Sequence, residues 1–201
     1  MNSISEAQKE TLKDYINRYV LFDENEFEIF LKHLEKIEIK KKKFLLEPDQ
    51  VCRAQYFILS GCLRTFYFNE KGIEQTLLFA IENWWITEYD SFVNEKPSQH
   101  YIQALEDAEL LKLDKANMEI LCLKVPKVER LFRIIAEKTL IASLNRIQLV
   151  FNLSREEMLD NFNNATGPFA QRVPQKMLAS YLGFTPEFFS MIKAKKKKKG
   201  E

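Results

Sequence analysis

The residues best suited to specific contact with a polar partner lie near the end of the chain, where Gln175, Thr185, Glu187, Ser190, Lys193 and Lys195 fall within one 21-residue stretch on either side of Gly183. A carboxylate such as Glu187 accepts a hydrogen bond from a cytosine amino group, and the Ser190 hydroxyl can donate to a base or a phosphate. The lysines can neutralise phosphates without reading sequence. Residues 193–201 hold six lysines and one glutamate, a charge of +5. The whole chain carries +1, so residues 1–192 carry −4, and the excess positive charge is confined to this end.

These side chains must be positioned by a helix pair. Leu178, Leu182, Phe184, Phe189 and Ile192 supply a buried face over Gln175 to Ala194, with the small Ala179 where two helices approach closely. Gly183 stands at the bend, where φ > 0 is needed. Thr185 is an N-cap, with Pro186 at the first helical position. The spacing predicts a helix-turn-helix, although a short helical hairpin that only closes a core has the same outline.

Upstream, the apolar pattern changes period twice. Leu12, Tyr15, Ile16 and Tyr19 predict a first helix, and Asp23 with Glu26 a capping box ahead of a second, with Phe27, Phe30, Leu31 and Leu34 on its apolar face. From Ile37 the period is two. Strands are predicted around Ile37–Ile39 and over Phe44–Leu46, Tyr56–Leu59, Leu63–Phe68, Thr76–Ile81, Tyr101–Leu105 and Leu110–Leu113, with a hairpin loop at Asn69–Gly72. Short strands at this spacing build an antiparallel sandwich or small barrel.

A short helix over Asp114–Leu123 follows, then a long one from Pro126 to about Leu153. Leu140, Leu144, Ile147 and Phe151 form one stripe on it, and Leu131, Ile134, Ile135 and Ile141 a second. Two apolar faces need two covers. One is the strand domain; the other is a second copy of the helix across a two-fold axis, unless the monomer buries both. Ser154 and Glu157 form a capping box that starts a new helix, so Leu153/Ser154 is the expected hinge. The segments are 1–125, 126–153 and 154–201.

Composition bounds the function classes. With 46% hydrophobic residues and sixteen phenylalanines, a sizeable core is available to one large or two small domains. No apolar run reaches the roughly 20 residues of a membrane span, and no signal peptide is evident, so a cytoplasmic protein without membrane contact is expected. Cys52, Cys62 and Cys122 are far apart, and His33 and His100 have no adjacent ligand, so neither a metal nor a haem site is expected. No stretch gathers His, Asp or Glu around a nucleophile, which argues against an enzyme.

In order, two short helices, a β-roll, a long helix and a C-terminal helix-turn-helix resemble the Crp/Fnr family of bacterial transcription regulators. The most specific stretches are Tyr56 to Arg64, Gly72 to Phe79 and the helix pair, and Arg172-Val173-Pro174-Gln175 and Ala179 to Gly183 are similar to a branch common in Bacteroidetes. The resemblance implies an α+β fold with an N-terminal antiparallel β-roll (a double-stranded β-helix, or jelly roll), flanking helices, a long dimerisation helix carrying Leu140, Leu144, Ile147 and Phe151, and a mostly helical DNA-binding end. It implies double-stranded DNA and a second copy of the chain as partners, with RNA polymerase a further one, and a roll that senses an effector. Trp84 to Glu106 is similar to the family's phosphate-binding cassette, which makes Glu88, Ser91, Ser98, Gln99 and, on the long helix, Ser143 the effector-pocket candidates.

Departures from the family pattern limit the effector. Members that bind cyclic AMP carry Gly-Glu and Arg-Ser pairs; here Glu88 is preceded by Thr87, and Ser98-Gln99 stand at the Arg-Ser positions. No arginine occurs between Arg64 and Arg130. Without a charged fork the cyclic phosphate loses roughly 1.5–3 kcal/mol per hydrogen bond, so cyclic AMP is not expected. The cysteine cluster of oxygen-sensing members is missing from Met1–Lys43. In the helix pair, Met191 stands where an arginine would read guanine, which leaves open the alternative of a ligand- or protein-binding module with a degenerate DNA-binding segment.

Overall fold

Capping chemistry fixes the two N-terminal helices, α1 (Glu6–Asn17) and α2 (Glu24–Leu31). Ser5 and Gln8, then Asp23 and Glu26, exchange side-chain-to-backbone hydrogen bonds in two reciprocal capping boxes. The computed structural model describes residues 4–166 and 169–199, with the side chains of 163–166, 193 and 196–199 outside the description.

Eight strands follow: β1 (Glu35–Ile39), β2 (Phe44–Leu46), β3 (Ala54–Ser60), β4 (Leu63–Phe68), β5 (Glu74–Ala80), β6 (Trp85–Ile86), β7 (Tyr101–Ala104) and β8 (Ala108–Asp114). They form two four-stranded sheets, in the orders β1-β8-β3-β6 and β2-β7-β4-β5. In the first sheet β8 is antiparallel to both β1 and β3, with Ile37 opposite Leu110 and Phe57 opposite Leu111. This is the expected antiparallel roll. Between β6 and β7 lies α3 (Tyr89–Asn94), which apolar periodicity could not reveal because its six residues bury only Ser91 and Phe92.

Alternation along the strands creates two cores. Tyr56, Ile58, Leu63, Ile102, Ala104 and Leu110 point into the roll. Phe57, Trp85, Leu111 and Leu113 belong to a second cluster with Leu12, Ile16, Phe27 and Phe30 of α1 and α2, together with Leu121, Leu131, Phe132 and Ile135. Gly61 needs its missing Cβ: at φ +101° that atom would stand 2.6 Å from the Cβ of Ala108.

The remaining elements are α4 (Lys115–Lys124), α5 (Lys127–Asn152), α6 (Arg155–Thr166), α7 (Phe169–Arg172), α8 (Gln175–Tyr181) and α9 (Pro186–Lys199). The first two turns of α5 are buried through Val128, Leu131, Phe132 and Ile135, whereas Leu140, Ile141, Leu144, Ile147 and Phe151 are between 51 and 82% exposed. Ile141 is exposed with the stripe although it lies seven residues beyond the half-buried Ile134, about 700° of rotation, and so on nearly the same helical face. From Leu140 to Asn145 every residue of α5 is exposed. Among the described residues nothing covers this stripe.

By compactness the chain divides into a unit of residues 1–65 and 79–140 and a second of residues 66–78 and 141–201. The tip of the β4–β5 hairpin thus belongs with the C-terminal helices. Among the described residues no helix is long and apolar enough to cross a membrane.

Candidate functional site

Two polar regions were singled out by residue type, and their hydrogen bonds run in opposite directions. In the first unit, Glu88 is the N-cap of α3: its carboxylate accepts from the backbone N–H of Asp90 (3.3 Å) and of Ser91 (2.9 Å). His100 Nδ1 stands 3.4 Å from the same carboxylate. The Ser91 hydroxyl, fully buried, accepts from the Cys52 N–H at 2.8 Å and donates to the Lys96 carbonyl at 2.6 Å. Ser98, also buried, accepts from the His100 N–H at 2.9 Å, while its own backbone bonds to Asp49 and Gln50.

Glu88, Ser91 and Ser98 are therefore brought together, and each is tied to the backbone of the loop that carries it. Thr87, at the position where the cyclic AMP binders have glycine, donates its hydroxyl to the Ala54 carbonyl at 3.0 Å. The nearby cations are also matched, Lys96 with Asp90 at 2.7 Å and Lys115 with Glu95 at 3.2 Å. The first of these contacts, helped by Asn94, holds the exposed Asp90 carboxyl below its ordinary value. Gln99 is exposed; Ser143 stands on the exposed half of α5, within the second unit.

In the C-terminal unit, Gly183 takes φ +74° after α8. The Phe184 N–H bonds to the Ala179 carbonyl and the Gly183 N–H to the Ser180 carbonyl, the two bonds of a Schellman turn. Thr185 then caps α9, accepting from the Phe188 N–H at 3.2 Å. Leu178, Ala179, Leu182, Phe184, Phe189 and Ile192 are all buried. Among the described residues the helix pair has its turn, its cap and its apolar face in place.

Its outer face is polar and open. Gln175, Thr185, Glu187 and Ser190 are exposed, as is Met191, and Glu187 has no hydrogen-bond partner among the described residues. The Ser190 hydroxyl donates to the Pro186 carbonyl of its own helix at 2.9 Å, which leaves its lone pairs available as acceptors. Lys195 pairs with Glu156 of α6 at 2.7 Å; the Lys193 side chain lies outside the described residues. Phe188 is accounted for by packing, at 5.7 Å edge-to-face on Phe184 and under the Arg155 guanidinium at 4.8 Å.

Sequence reading missed two residues of this unit. The Ser180 hydroxyl donates to the Glu74 carbonyl at 2.7 Å and accepts from the Thr76 N–H at 2.9 Å, both on the edge strand β5. Arg146 of α5 donates to the carbonyls of Leu77 and Tyr181 and stacks on the Tyr181 ring, 4.0 Å from its centroid. Burial pulls this guanidinium below its ordinary pKa, with the Tyr181 hydroxyl acting in the opposite direction. No periodicity signals such contacts, because they join residues 35 to 106 positions apart.

Comparison with known proteins places these features in context. Residues 36–124 match the sequence profile of the cyclic nucleotide-binding domain. The regulatory protein HlyX of Actinobacillus pleuropneumoniae is 24% identical over 176 residues, spanning 82% of this chain and 72% of the relative. Among solved structures, the c-di-GMP-responsive global regulator CLP of Xanthomonas campestris superposes with a TM-score of 0.75 at 14% identity, over 89% of this chain and 93% of that one. FixK2 of Bradyrhizobium japonicum superposes with a TM-score of 0.71 at 15% identity, over 83% and 86%.

Proposed function

We infer that this chain, a member of the Crp/Fnr family of transcription regulators, works as a homodimer that reads double-stranded DNA through α9. The observation that carries the reading is the open face of α9: Thr185, Glu187 and Ser190 point outward from a scaffold whose apolar side is closed by the Schellman turn. Residues 1–125 serve as the sensor roll, 126–153 as the dimer helix and 154–201 as the reading unit. The exposed stripe of Leu140, Leu144, Ile147 and Phe151 is the surface that a second copy covers, since an apolar row of this length on a helix calls for a partner. In the dimer the two α9 helices stand about 34–36 Å apart, one turn of DNA.

Met191 cannot make the bidentate guanine contact of an arginine, so readout rests on Glu187, on acceptor contacts from Ser190, and on DNA shape. Mobility shift on DNA from upstream of the protein's own gene tests this. Retarded migration that survives competitor DNA supports specific regulation; equal binding to scrambled DNA at every salt concentration removes it.

The effector reading follows from the loop. With the oxygens of Glu88, Ser91 and Ser98 directed to backbone groups, a cyclic nucleotide would have to displace these bonds without gaining a guanidinium. Thermal denaturation with cyclic AMP, cyclic GMP and c-di-GMP should leave the transition unmoved, and a saturable rise with any of them would assign that nucleotide to the roll. RNA polymerase is a further partner under this reading.

A further inference from the structure

The β4–β5 hairpin is held to the helix pair by polar contacts that have no counterpart in apolar patterning. β5 is the edge strand of its sheet, and an edge strand presents backbone donors and acceptors that need a partner. Ser180 supplies one: its single hydroxyl fills both the Thr76 N–H and the Glu74 carbonyl, standing in for one residue of a neighbouring strand. Arg146, half-buried and with carbonyl acceptors at Leu77 and Tyr181, ties α5, the hairpin and the end of α8 at one point. Thr76 also carries a buried hydroxyl with no hydrogen-bond partner among the described residues. A buried orphan beside a polar junction is a cost that the fold tolerates where position matters.

We propose that Ser180 and Arg146 are positioning residues for DNA reading: they clasp α8 to the β4–β5 hairpin and to the dimer helix, and so fix where each α9 stands in the dimer. The clasp leaves Thr185, Glu187 and Ser190 exposed, so it does not compete with DNA. It takes hold at Ser180 and Tyr181, immediately before the turn that aims α9. A rotation there is carried directly into the recognition helix, and Arg146 lies on the same helix as the exposed stripe assigned to the partner copy. The proposal rests on the dimeric DNA-reading function above.

Two measurements on the full chain separate the clasp from that function. In hydrogen exchange, the Thr76 amide should be protected in the wild type, exchange about tenfold faster in Ser180→Ala, and be protected again in Ser180→Thr, which keeps the hydroxyl. An amide equally protected in Ser180→Ala overturns the clasp. For DNA, duplexes selected by the wild type from a random library are remade with their half-sites moved by about half a helical turn. Ser180→Ala and Arg146→Lys should bind the selected spacing about tenfold more weakly while tolerating the altered spacing, with single half-sites bound as by the wild type. Equal weakening on palindrome and half-site overturns the positioning role and leaves DNA reading intact. Failure of the wild type to select any spaced palindrome overturns the dimeric DNA reading, and the positioning role with it, while Thr76 exchange still reports on the clasp.

Discussion

The loop from Thr87 to His100 and the helix pair from Gln175 to Lys199 are rich in the same kinds of polar side chain, and each contains a helix begun by a side-chain cap. They differ in what the remaining polar atoms face. In the loop, Glu88 serves two backbone N–H groups and Ser91 joins Cys52 to Lys96, so the polar atoms close on their own chain. In the helix pair the cap uses Thr185 alone, and Glu187 looks outward from a side whose reverse is apolar. Residue type singles out both regions; the direction of the hydrogen bonds separates a loop closed on its own backbone from a face left open.

That contrast can be broken at several points. The largest effect is expected from Phe189→Ala, which empties a site only 2% exposed in the small C-terminal core. It should cost about 3–5 kcal/mol and abolish DNA retardation while the roll stays folded, as two separated transitions in chemical denaturation would report. A single unchanged transition would mean that α9 adds little to that core.

Next is Ser91→Ala, which leaves the buried Cys52 N–H and Lys96 carbonyl without their partner. A loss of about 1–3 kcal/mol in the roll is expected from thermal or urea unfolding, with DNA binding retained. Should Ser91→Ala leave stability unaltered and change DNA affinity instead, the loop would be a signalling site after all. A comparable change is expected from Gly183→Ala, about 1–2 kcal/mol, because φ +74° strains an L-residue although its Cβ would meet nothing within 4 Å. Its signature is purely backbone, so Gly183→Asn should be milder.

Leu144→Glu tests the exposed stripe, where a charge should dissociate the dimer without unfolding the monomer, by sedimentation. A monomeric wild type would remove the second copy from the mechanism.

The smallest effect concerns acid. Exposed Asp90, Asp107 and Glu157 are all held below their ordinary values, by the hydrogen bond from Lys96, the backbone N–H of Lys41 and the side chain of Ser154 respectively. A carboxylate with a depressed folded-state pKa adds stability that is present above its unfolded value and is lost as pH falls through the folded one. Unfolding midpoints should therefore decline slightly below the ordinary carboxylate range, and the decline should be shallower in Asp107→Asn. Identical slopes would show that these exposed contacts add nothing.

How much was legible depends on the range of the interaction. Ser154 with Glu157 and Asp23 with Glu26 were readable because a capping box lies within four residues, and the strand from Leu63 to Phe68 because turn signals bound it on either side. The α3 helix was hidden, since six residues with two buried side chains give no period. The bond from Ser190 to the Pro186 carbonyl was not signalled by its residue type. The roles of Ser180 and Arg146 were invisible, as Ser180 looks like any exposed helix serine and Arg146 like any surface arginine.

Sequence alone determined the order of elements, the antiparallel roll, the long helix and the helix pair, because caps, turn glycines and apolar periods act over a few residues. Tertiary structure alone decided that Ile141 is exposed, that Glu88 and Ser91 serve their own loop, and that the hairpin tip belongs with the C-terminal helices. Those outcomes turn on which backbone groups far along the chain lack a partner, and a hydrogen-bonding side chain satisfies whichever of them folding brings within about 3 Å.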